Sequence, residues 1–96
     1  MQGDIEKLKS NLAKAQADYE KNLNDADAII WLGRRMAYLW RYRDAIEIYS
    51  EGIKKHPNNA KLYRHRGHRY ITVREFDKAI ADLEKAAKLT ENMADE

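Results

Sequence analysis

The chain resembles itself when shifted by 34 residues. At that offset Ala26 meets Ala60, Gly33 meets Gly67, Arg35 meets Arg69, Ala45 meets Ala79, Ile46 meets Ile80 and Asn58 meets Asn92. Four more pairs keep small size or apolar character: Leu39 with Val73, Tyr42 with Phe76, Tyr49 with Leu83, and Gly52 with Ala86. A period of this length marks a repeated supersecondary unit that buries its apolar face only against a neighbour. Within 96 residues it leaves room for two copies, 26–59 and 60–93.

Inside each copy the apolar residues recur at helical steps. Ile29, Leu32, Met36 and Leu39 form one such series, and Ala45, Ile46, Tyr49 and Ile53 the next, which predicts two helices of about 14 residues per copy. The breaks fall near Trp40 to Arg41 and near Arg74 to Glu75. Between the copies His56-Pro57-Asn58-Asn59 ends one helix, with Asn59 placed to cap the next, as Asp25 is for the helix before Trp31. One proline and four glycines are too few for a small β-sandwich. Upstream, Ile5, Leu8, Leu12, Ala15 and Tyr19 make an apolar stripe on a further helix with Asp4 as its expected N-cap. An end helix that is polar outside is expected to shield the first copy, so 1–25 reads as a cap and 94–96 as a tail.

Gly33 and Gly67 on the first helices, with Ala45 and Ala79 on the second, remove bulk where paired helices approach to about 8–10 Å. Tyr42 and Phe76 are expected to fill the crossing. The 34-residue period, these glycines, alanines and aromatics, and Pro57 together resemble the tetratricopeptide repeat over 26–93. The expected fold is all-α, with αα-hairpin repeats in a right-handed superhelix of about five helices. Ile29 and Met36 stand where the family often has Trp and Tyr, and Glu91 replaces the terminal proline, so the last helix is expected to run on or fray. Arg66 stands where Leu is usual. An unpaired charge in a helix interface is costly, so Arg66 is expected at an edge or paired with Glu47 or Glu51.

The net charge of +2 hides a polarised distribution. From Trp31 to Arg74 eleven basic residues, all eight arginines among them, face three acidic ones, a local net of +8, while the remainder carries −6. A basic central surface follows. The resemblance places Ile30, Arg34 and Tyr38 on the concave face of the first repeat, with Arg64, His68 and Thr72 as counterparts in the second. Ala37 and Ile71 lie beside them, and Asp27 and Lys61 at the margin. Guanidinium groups bind carboxylates by paired hydrogen bonds. The expected function is therefore a non-catalytic scaffold whose basic groove holds an acidic or carboxylate-bearing peptide or protein. The lysine and asparagine clamp that some family members use for chaperone C-termini lacks its asparagines here.

Other readings compete. Arg34, Arg35, Arg64 and Arg69 could be solvated, or bridge neighbouring helices in ion pairs worth about 0–1 kcal/mol. Arginines interleaved with Tyr63 and Tyr70 also suit RNA, although both tyrosines coincide with core positions. His65 and His68 are one turn apart, but no carboxylate or cysteine lies in the same turn to complete a metal site. No cofactor, metal or catalytic group is expected: no phosphate loop or cysteine nucleophile is present, and Ser10 and Ser50 fall in helices. His56 reads as a helix-end residue, Trp31 as a wedge between helices and Trp40 as a turn residue where many repeats carry Gly. Ile80, Leu83 and Ala87 are expected to leave apolar surface at the last hairpin, which points to a longer array or to self-association. With no apolar run of about 18 residues, the chain reads as soluble and not a membrane protein. Its compartment is open between the cytoplasm and, as a fragment of a longer secreted or periplasmic protein, the exterior.

Overall fold

The computed structural model describes residues 2–94 and is all-helical over them. Five helices follow in order: α1 (Gln2–Lys21), α2 (Ala26–Tyr38), α3 (Tyr42–Lys55), α4 (Ala60–Thr72) and α5 (Phe76–Ala94). Each packs on the next, and α2 also meets α4 across the repeat, producing an elongated body of 45 × 31 × 20 Å. The last helix runs on through Glu91 to Ala94, as the missing proline implies. The expected tail lies, beyond Ala94, outside the described residues.

Local chemistry accounts for the boundaries. The Asp25 side chain accepts a hydrogen bond from the Asp27 amide at 2.9 Å, and Asn59 accepts from the Leu62 amide at 3.3 Å, satisfying donors that a helix start leaves free. Asp4 does not cap α1, because the helix already begins at Gln2 and places Asp4 in its first turn. Both hairpin turns use one geometry. Trp40 and Arg74, 34 residues apart, are the non-glycine residues at positive φ among the described residues, 62° and 67°. The following amides, of Arg41 and Glu75, donate back to the carbonyls of Met36 and Tyr70 at 3.0 and 2.9 Å. The α1–α2 turn is tied to the end of α3, where Lys55 Nζ donates to the Leu23 carbonyl and the His56 ring lies 2.7 Å from that of Asn24.

The core is built on Leu12, Ile29, Ile30, Leu32, Ala37, Ala45, Ile48, Tyr49 and Leu62, with Ala15, Tyr19, Met36 and Tyr42 packed against it. Gly33 is dictated by Tyr49, since a Cβ there would lie 2.2 Å from the ring. In the second hairpin Leu83 replaces that ring, and Gly67 has more room, with 3.1 Å to the Leu83 methyl.

Three core expectations are corrected. Phe76 does not fill a crossing. It is 52% exposed, because nothing among the described residues covers it as α4 covers Tyr42. Trp31 is not a wedge but lies 46% exposed beneath two guanidinium groups, Arg34 at 4.7 Å and Arg35 at 4.8 Å from the ring centre. Arg66 is paired, though not with Glu47 or Glu51. It forms a two-pronged bond to Asp82 of α5, 2.7 Å on each arm, and reaches Ser50 Oγ at 3.1 Å. Asp82 is only 5% exposed, and the hydrogen bonds it accepts hold the guanidinium in its charged form. Tyr63 and Tyr70 flank Arg66 with ring centres 6.0 and 5.5 Å away, so this inter-helix layer is polar where the family resemblance implies Leu.

Candidate functional site

The helical step of four residues places Arg34 and Tyr38 on one ridge of α2 and Arg64 and His68 on one ridge of α4. Because α2 meets α4, these four side chains line a single cleft of about 210 Å³ together with Ala37, Tyr49, His65 and Arg69. Arg34 donates to the Tyr38 hydroxyl at 3.1 Å. Tyr49, nearly inaccessible, forms the floor and stacks on His65 with ring centres 5.7 Å apart.

The other expected contacts fall elsewhere. Ile30 is 7% exposed and belongs to the core: it stands one turn before Arg34 on the same ridge of α2, where the ridge is buried and no longer lines the cleft. Lys61 lines a neighbouring depression with Asp27, Asn59 and Arg64, which connects it to the cleft only at Arg64. Thr72 is exposed at the end of α4 and donates its hydroxyl proton to the His68 carbonyl one turn back. Ile71 is exposed and Ala37 buried.

Three arginines without an ion-pair partner among the described residues converge on this cleft. Arg41, Arg43 and Arg66 are paired with Asp44, Glu75 and Asp82. Arg34, Arg35, Arg64 and Arg69 form no ion pair among the described residues, and no carboxylate lines the cleft. Burial pushes the His65 imidazole down to about 4, assisted by the positive charges of Arg64, Arg34 and Arg69, so it is neutral at pH 7. Burial drives the Tyr49 phenol up to about 12 despite Arg69 and Arg34, which makes its hydroxyl a permanent donor. The arrangement offers guanidinium and hydroxyl donors over an apolar floor, suited to holding an anionic group.

A second cleft, between α1 and α2, is larger at about 400 Å³ and carries both signs, with Asp18, Asp25 and Asp27 opposite Lys14 and Arg35. Sequence reasoning missed it, as it missed the cleft roles of His65, Arg69 and Tyr49. The signal for two of those three was present, since His65 and Arg69 repeat the four-residue step of Arg64 and His68 one position later. No group of three His, Asp or Glu among the described residues is arranged to hold a metal, and none of their helices is long and apolar enough to cross a membrane.

No family model and no curated protein matches the chain. Solved structures do. The likeness is to MamA, a tetratricopeptide-repeat protein. One MamA crystal structure superposes with a TM-score of 0.85 at 25% identity, covering 96% of this chain and 54% of that one. MamA of MSR-1 gives 0.82 at 21% identity over 94% and 52%, and MamA of AMB-1 gives 0.80 at 22% over 92% and 48%. The chain thus spans about half the length of the structures it matches, and shares with them a helical-repeat fold of the tetratricopeptide type.

Proposed function

We propose that the chain is a non-catalytic interaction scaffold in which α1 caps two repeats, 26–59 and 60–93, and the α2/α4 cleft binds an acidic or carboxylate-bearing segment of a partner protein. Arg34, Tyr38, Arg64 and His68 make the principal contacts, with Lys61 and Thr72 at the margin. One observation carries the reading: three arginines share a cleft that contains no carboxylate. The fold likeness to a tetratricopeptide-repeat protein supports it, because such solenoids present extended concave binding surfaces.

The test substitutes Arg34→Glu and Arg64→Glu and measures binding of acidic, neutral and basic decapeptides and of single-stranded RNA at two ionic strengths. A hydrogen bond to a charged group is worth about 1.5–3 kcal/mol, so each change should weaken the acidic peptide at least about tenfold while leaving the helical spectrum intact. Unchanged affinity for the acidic peptide removes the site. Tighter binding of RNA, with a steep loss as salt rises, replaces the peptide reading by a nucleic-acid one. Exposed Phe76 and Ile80 on α5 favour a second possibility, self-association of the last hairpin, which sedimentation over a concentration series reads directly.

A further inference from the structure

The α2/α4 cleft holds more positive charge than one carboxylate neutralises. Arg34, Arg64 and Arg69 line it, and none has an ion-pair partner among the described residues. Arg34 bonds to a neutral hydroxyl, and the Nε of Arg69 is buried with no acceptor at all. A buried donor left unmade is costly, more so when charged, and like charges gathered in one cleft repel. A ligand relieves that repulsion in proportion to the negative charge and the acceptors it brings.

A carboxylate brings one charge and two oxygens. A phosphoryl monoester brings about 1.5 to 2 negative charges at neutral pH and three acceptor oxygens, one for each guanidinium. The phosphodiester of a nucleic acid chain carries one charge per phosphate, which places it with the carboxylate. Space agrees: the cleft of about 210 Å³ corresponds to about seven waters at their liquid volume, enough for a phosphoryl group and the first atoms of its side chain. We propose that the α2/α4 cleft recognises a phosphorylated side chain on a partner protein, with Arg34, Arg64 and Arg69 dividing the phosphoryl oxygens. This deepens the peptide-binding reading and rests on it. The depressed imidazole of His65 agrees, since the same three arginines contribute to lowering it.

The experiment follows the Nε–H signals of the arginines by NMR in the full chain, at constant ionic strength. Three probes are titrated: N-acetyl-phosphoserine amide, N-acetyl-glutamate amide and a dinucleoside monophosphate. The proposal expects saturable shifts at Arg64 and Arg69, an affinity for the phosphoserine probe at least about tenfold above the other two, and displacement by inorganic phosphate. Arg69→Gln should abolish most of that preference. Arg64 is exposed, so Arg64→Gln serves as the second variant should the first disturb packing against Tyr42, and it should reduce the preference several-fold. Equal affinity for the phosphoserine and glutamate probes overturns the phosphoryl assignment while acidic-peptide binding stands. Equal or tighter binding of the diester assigns the cleft to nucleic acid. Absence of shifts at Arg64 and Arg69 with every probe overturns the proposal, and if the acidic decapeptide also fails to bind, the broader reading falls with it.

Discussion

Gly33 and Gly67 occupy equivalent positions one repeat apart, yet alanine should act very differently at the two. A Cβ on Gly33 would lie 2.2, 2.4 and 2.8 Å from Cε1, Cζ and Oη of Tyr49. That ring is 1% exposed and stacked on His65, so it cannot retreat without dislodging a second aromatic. Overpacking of this kind costs about 1–3 kcal/mol, and the overlap places Gly33→Ala at the upper end. Alanine returns about 1 kcal/mol of helix propensity, leaving about 2 kcal/mol of net destabilisation. At Gly67 the nearest atoms are side-chain carbons of Leu83 at 3.1 Å and the Asp82 Cβ at 3.2 Å. A small shift of half-buried Leu83 relieves most of that, so strain and propensity nearly cancel. In a domain of this size 1 kcal/mol moves Tm by about 4–8 °C. Thermal melts followed by circular dichroism should show Gly33→Ala about 8–16 °C below the parent and Gly67→Ala within about 4 °C of it. Adding Tyr49→Leu, the residue type of the second repeat, should recover stability in the Gly33→Ala background. Equal drops for both alanines, or no recovery with leucine, would refute the packing argument.

The remaining predictions concern charge, caps and turns. His65 faces Arg34 and Tyr49 from the neighbouring helices and Arg64, His68 and Arg69 on its own. With a folded value of about 4 against about 6.5 unfolded, the unfolded chain binds the extra proton, so its stabilising contribution is complete above about pH 6.5 and is lost as pH falls through 4. Solvent screening of a partly exposed ring limits the loss to about 1–2 kcal/mol, and urea titrations at pH 7 and pH 4 should show His65→Gln flattening this part of the profile. Asp82→Ala strands the half-buried Arg66 and should cost about 3 kcal/mol or more, whereas Arg66→Leu with Asp82→Leu should be near neutral, again read by urea titration. Asn59→Ala removes the α4 cap and should cost about 1 kcal/mol. Trp40→Gly relieves a left-handed backbone at φ 62° and should stabilise by about 1 kcal/mol; a lower Tm would contradict the strain at that turn.

The fold was legible because its signals are local and doubled. The 34-residue period, the caps at Asp25 and Asn59, and the breaks beside Trp40 and Arg74 each depend on neighbours within a few residues. Partners across helices were not legible to the same degree. Arg66 was recognisable as a charge in an apolar position, but its partner depends on which face of α5 Asp82 presents, and period alone does not rank Asp82 above Glu47 or Glu51. Trp31 and Phe76 misled for a related reason, since an aromatic residue is apolar whether or not a neighbouring helix covers it. At the candidate site the ridge of Arg34, Tyr38, Arg64 and His68 followed from helical spacing and the family resemblance. Ile30 stands on the same ridge by the same four-residue step, but one turn nearer the start of α2 that ridge is buried in the core, which spacing alone does not reveal. Arg69 and His65 were hidden behind the expectation of a single ridge on α4, and the floor by the reading of Tyr49 as core alone.

The central claim, that a partner's anionic segment sits between α2 and α4, is tested most directly by mapping where an acidic decapeptide perturbs the backbone amide spectrum of the chain. The account predicts shifts concentrated at residues 34–38 and 64–69 with little change along α1. Perturbation centred on the α1/α2 cleft around Asp18 and Asp27, or on the outer face of α5, would contradict it.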